Sequence, residues 1–137
     1  MGSRGMRNAG LSAMPDLGEA LKERTNRFAL DVCRLLKLLP ESEPGLTIKR
    51  QLAKSATSVA ANYRAARRAR SHAEFTVRIG VVAEEADQTL FWLNLVADAQ
   101  LAVAPDLPQL QREAGELTAI FSACVGTARR NSRINRQ

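Results

Sequence analysis

Residues 51–75 read QLAKSATSVAANYRAARRARSHAEF, and the fold turns on how they divide. With Ile48 just upstream, Leu52, Ala56, Val59, Tyr63 and Ala66 recur every three or four positions, which is one face of an α-helix. Near Arg70 that register breaks. Ser71 followed by Glu74 has the spacing of a capping box, in which a hydroxyl and a carboxylate satisfy two orphan N–H groups at a helix start. The spacing predicts one helix from about Gly45 to about Arg68 and another from about His72 to about Val103. On the first, Arg50, Lys54, Thr57, Ala61, Arg64 and Arg68 fall on a stripe roughly opposite the apolar one. Ala53, Ser55, Ser58 and Ala60 are small and let another helix approach closely.

The helix after Ser71 carries two apolar sets. Its main stripe is Phe75, Ile79, Val82, Ala86, Leu90, Leu93 and Ala97. Val77, Val81, Trp92, Leu95 and Ala99 lie well around the cylinder from it. Two readings stay open: a helix packed centrally in one bundle, or a subunit interface built on Val77, Val81, Trp92 and Leu95, with Trp92 as anchor.

Outward from this centre the pattern repeats. Leu21, Phe28, Val32, Leu35, Leu36 and Leu39 share a face of a helix expected over about 17–39, which Pro40 stops. PESEPG then forms a short loop, where Ser42 or Glu43 is placed to cap the next helix with Pro44 in its first turn. Pro105 and Pro108 mark another break. Leu110, Ala114, Leu117, Phe121, Cys124 and Ala128 then stripe a last helix over about 107–129. Residues 1–16 have no periodicity and read as a disordered leader; 131–137 read as a basic tail. No segment shows the β-branched alternation of a strand. The expected fold is all-α, an antiparallel up-down four-helix bundle.

Size and charge narrow the function. At 137 residues the chain makes one domain, and a hydrophobic share of 45% excludes a disordered one. No run of about 18 apolar residues exists to span a membrane, and no secretory signal opens the chain, so a reduced cytoplasm is inferred. Net charge is +7 over residues 46–80, −6 over 81–120 and +4 over 121–137, the last from Arg129, Arg130, Arg133 and Arg136. Such polarity suits contact with a polyanion, pairing between segments of opposite sign within or between chains, or simply a set of solvated helix faces.

The stretch Gln51–Phe75, with IGVVAEEADQTLFWL over Ile79–Leu93, resembles the four-helix-bundle proteins first met as products of intervening sequences inside bacterial 23S rRNA genes. Ser58, Ala61, Asn62, Ser71, Glu74 and Phe75 sit at the spacings associated with that family. Where the family commonly reads A-N-I-A-E-G, this chain has Ala61-Asn62-Tyr63-Arg64-Ala65-Ala66, as in a YRAARRARS subgroup. The resemblance spans about residues 20–130. It implies a small bundle assembled into a homo-oligomeric ring, commonly a homopentamer. A related branch holds the accessory protein of diversity-generating retroelements, a basic barrel that works with a reverse transcriptase and nucleic acid.

The residues offer little for catalysis. A di-iron bundle needs Glu-x-x-His pairs on two helices, and the one histidine is His72. Two cysteines 91 positions apart make no zinc site and are expected as core thiols. Phosphate-loop and nucleophile-elbow motifs are absent. No cofactor, metal or catalytic residue is therefore expected. Glu84, Glu85 and Asp87 read as a solvated or cross-paired acidic patch. Asn62, a poor residue inside a helix, is expected to make a hydrogen bond that fixes helix register. Ser71 and Glu74 are expected to cap. The leading expectation is a non-enzymatic ring protein binding RNA or DNA through Arg50, Lys54, Arg64, Arg67, Arg68 and Arg70. The alternative is a protein–protein scaffold whose basic and acidic faces pair between subunits or with an acidic partner, without nucleic acid.

Overall fold

The computed structural model describes residues 16–136, so the expected leader lies, apart from Asp16, outside the described residues. Four helices follow one another: α1 Leu17–Leu36, α2 Gly45–Arg67, α3 His72–Asp98 and α4 Leu107–Arg136. Each packs on the next, and α4 returns to α1 along a shorter seam, so the order around the bundle is α1–α2–α3–α4. Among the described residues there is no strand. None of the helices is long and apolar enough to cross a membrane.

The core is the set of stripes read from the sequence. Phe28, Val32, Leu52, Val59, Ile79, Val82, Leu93, Leu117 and Phe121 are all buried in one cluster. Phe121 of α4 reaches across the diagonal to Tyr63 of α2, ring centroids 5.3 Å apart. The Tyr63 hydroxyl donates to Gly18 O at 3.3 Å, tying α2 to the start of α1.

Helix ends depart from the sequence reading in instructive ways. Asp16, assigned to the leader, is the N-cap of α1, its carboxylate accepting from Glu19 N–H at 2.7 Å. α1 ends at Leu36, and i→i+3 bonds carry the chain through Leu39 instead. Neither Ser42 nor Glu43 caps α2; Pro44 holds the cap position without a side-chain bond. Gly45 starts α2 where a Cβ would come within 2.9 Å of Pro40 O.

α3 stops at Asp98, five residues before the expected Val103. Leu101 N–H donates to Val96 O and Gln100 N–H to Ala97 O, the paired bonds of a Schellman motif. Gln100 takes the left-handed position (φ 51°) that glycine normally fills. A Gln100→Gly variant should therefore be more stable by about 1 kcal/mol, read as a higher urea midpoint.

The expected basic tail is a continuation of α4. The helix runs on to Arg136 past Ala128, its last buried residue. Nothing there breaks a helix, and arginine favours one. His72 Nε2 lies 2.9 Å from Ala128 O, level with the first turn of α3. Residues 129–136 thus project about 12 Å beyond that point as a helical spur.

Polar contacts fix register, though not the expected one. Asn62 Nδ2 donates to Ser58 O at 2.9 Å, within its own helix, so it does not tie α2 to a neighbour. The buried cross-helix pair is Thr89 of α3 with Ser55 of α2, hydroxyl oxygens 3.0 Å apart. On the α1–α4 seam, Arg24 binds Glu113 through Nε (2.8 Å) and Nη2 (2.5 Å) and also reaches Glu116 at 2.5 Å. Its guanidinium is held well above its ordinary pKa, chiefly by the hydrogen bond to Glu113.

Candidate nucleic-acid interface

α2 turns its core stripe inward, so the opposite stripe must face out. Arg50, Lys54, Thr57, Ala61, Arg64 and Arg68 are all exposed. Among the described residues, Arg50, Lys54, Arg64, Arg68 and Arg70 have no carboxylate partner, whereas Lys22, Arg34 and Lys49 each have one and Arg24 and Arg67 each have two. These five share a single face and the turn that follows it; Arg27, Lys37, Arg78, Arg112, Arg129, Arg130 and Arg133 are also exposed without a carboxylate partner among the described residues, spread over α1 and its C-cap, α3 and α4.

Arg67 stands apart from the group. One residue before Arg68, it points sideways toward α1, where Nη1 donates to Glu19 Oε2 at 2.5 Å and Nη2 lies 3.8 Å from Asp16. It closes the α1–α2 corner and is not free for an external anion.

At the α2–α3 turn, Arg64, Arg68 and Arg70 line a shallow depression of about 480 Å³ floored by Ala61 and Ala65, with Glu74 at its edge. The turn is held by the expected capping box. Ser71 Oγ accepts from Glu74 N–H at 3.1 Å, and Glu74 Oε2 accepts from Arg70 N–H at 3.2 Å, one residue before the cap. The exposed Arg129, Arg130 and Arg133 of the spur project from the same end of the bundle. This end therefore carries a cationic cap moderated by Asp16, Glu19 and Glu74.

The residues expected at a subunit interface are divided. Val77 is 67% exposed. Val81 is half-buried, and Trp92 and Leu95 are partly buried against the protomer's own core. Phe91, which the periodicity did not single out, is 56% exposed and meets Trp92 edge-on at 4.9 Å. Glu84 and Asp87 lie exposed on the same helix.

Neither cysteine behaves as a simple core thiol. Cys33 is exposed, because it follows Val32 and so falls off the apolar stripe of α1. Cys124 is half-buried, and burial pushes its thiol pKa up, keeping it neutral. Burial likewise raises the Tyr63 phenol. Among the described residues no group of three or more His, Cys, Asp or Glu side chains is placed to hold a metal ion.

No protein-family model matches the chain, and no curated protein does. Among solved structures it is similar to a crystal structure of a protein of unknown function from the S23 ribosomal protein family of Bacteroides thetaiotaomicron. The two share 24% identity and a TM-score of 0.69, over 76% of this chain and 96% of that one. The likeness defines this chain as a helical bundle of that shape.

Proposed function

We propose that this chain is a non-enzymatic bundle protein that binds nucleic acid through the outer face of α2 and the α2–α3 turn. The observation that carries the reading is that five exposed cations without a carboxylate partner among the described residues, Arg50, Lys54, Arg64, Arg68 and Arg70, share one helix face and the turn after it. Surface cations with no internal partner are available to phosphates, and each contact releases condensed counterions. The resemblance to the 23S rRNA intervening-sequence proteins adds a homo-oligomeric ring, commonly a pentamer in that family, and the related branch of retroelement accessory proteins suggests a reverse transcriptase or another protein as companion. In a ring the basic face would recur with each subunit.

Labelled RNA and DNA oligonucleotides, titrated at about 50 mM salt with protein freed of co-purified nucleic acid, are expected to bind. No binding of either would overturn the proposal. A scaffold is the second reading, favoured by exposed Val77 and Phe91 beside Glu84 and Asp87 on α3. There, the acidic, partly apolar face of one copy would receive the basic α2 face of another.

Glu74 bears on the first reading. Its carboxylate caps the turn but also opposes an anion in the depression. Glu74→Gln retains a side chain that serves in a capping box and removes the charge. It should leave the urea midpoint nearly unchanged and tighten nucleic-acid binding by about two- to fivefold.

A further inference from the structure

The spacing of the α2 cations narrows the ligand further, on the reading that this face binds nucleic acid. We infer that the ligand is a duplex, held by its two phosphate backbones with α2 lying across one groove. The cations form two pairs. Arg50 and Lys54 are one helical turn apart, about 6 Å, and so are Arg64 and Arg68. Between Lys54 and Arg64 lie about 15 Å of helix whose outward positions are Thr57 and Ala61. Neither reaches as far as the flanking cations. The Thr57 hydroxyl is turned back onto its own helix, donating to Ala53 O at 2.7 Å.

Two short rows of positive charge separated by a low, neutral strip match two rows of negative charge. A duplex presents this arrangement: its major groove is about 12 Å wide, with a phosphate backbone on either rim. Arg50 and Lys54 would meet one rim. Arg64 and Arg68, joined by Arg70 in the depression, would meet the other. The low strip carries no long polar side chain to enter the groove and read base edges, so binding is independent of sequence.

A single strand fits this face poorly. Its binding sites combine a continuous basic track with aromatic platforms on which bases stack. The outer face of α2 has no aromatic residue. Tyr63 is 6% exposed and engaged with Phe121 and Gly18 O, while Phe91 and Trp92 lie on α3 against each other.

The test uses the full chain, a duplex of about 20 base pairs and the single strand of the same sequence, over a salt series. The duplex is expected to bind about tenfold tighter at equal salt. Arg50→Ala/Lys54→Ala and Arg64→Ala/Arg68→Ala should each reduce the duplex salt slope by about two. A charge-conserving variant, Lys54→Ala with Ala61→Lys, moves one cation into the neutral strip. It should lose most of the duplex preference while circular dichroism confirms an intact bundle. Equal or tighter binding of the single strand would overturn the inference and leave nucleic-acid binding standing. So would undiminished duplex preference in the charge-moved variant. Binding of neither nucleic acid would overturn both.

Discussion

Reversing two charges, Arg64→Glu with Arg68→Glu, should lower nucleic-acid affinity by about a hundredfold or more near 100 mM salt. Each change removes a phosphate contact and adds a repulsion at the centre of the depression that both residues line. The fold should not notice. Both side chains are exposed, and neither has a salt-bridge partner among the described residues. Substitutions of that kind usually stay within about 0.5 kcal/mol. Binding measured by anisotropy should therefore collapse while the urea midpoint and the hydrodynamic size stay at wild-type values. If the variant instead came apart into smaller species, α2 would be a subunit contact, as in the scaffold reading.

Phe121→Ala should have the largest effect on stability, a loss of about 3–5 kcal/mol in urea unfolding. The side chain is fully buried, and its ring against Tyr63 joins α2 and α4 across the diagonal of the bundle, where their backbones do not approach. Truncation leaves a cavity between four helices that cannot all move inward together. Against a typical total of about 5–15 kcal/mol, this is a large share. The near-ultraviolet signal of Tyr63 should weaken with it. A loss below about 1 kcal/mol would mean that the diagonal is not packed as described.

The bundle was legible because burial follows a period that sequence displays directly. Every residue assigned to the α1 and α2 stripes is buried, and so are Leu110, Ala114, Leu117, Phe121 and Ala128 of α4. What escaped the sequence was set by other physics. α3 ends in a Schellman motif whose left-handed position holds Gln100, so the glycine that would announce a stop is missing. α4 outlasts its apolar stripe because its last turns need no core contact, only residues that tolerate a helix. The Ser55–Thr89 pair depends on two helices meeting, which no single-helix pattern encodes.

The same division runs through the candidate interface. The periodicity of α2 placed Arg50, Lys54, Arg64 and Arg68 on one outward face, and they lie there. Arg67 sits one residue off that line, and only the position of Glu19 on α1 reveals that it is engaged. Phe91 was hidden by its neighbour Trp92, which drew the apolar reading to its own side of the helix. The depression itself arises where two helices turn, a feature of the chain's path and not of any stripe.

The salt dependence of binding tests the central claim most directly. With four to five phosphate contacts per chain, the logarithm of the association constant for duplex DNA should fall linearly with the logarithm of salt concentration. The expected slope is about −4, or roughly a two-hundred-and-fiftyfold loss of affinity between 50 and 200 mM. Binding that is undetectable at 50 mM, or that persists with a slope near zero, would contradict a function built on the cationic face of α2.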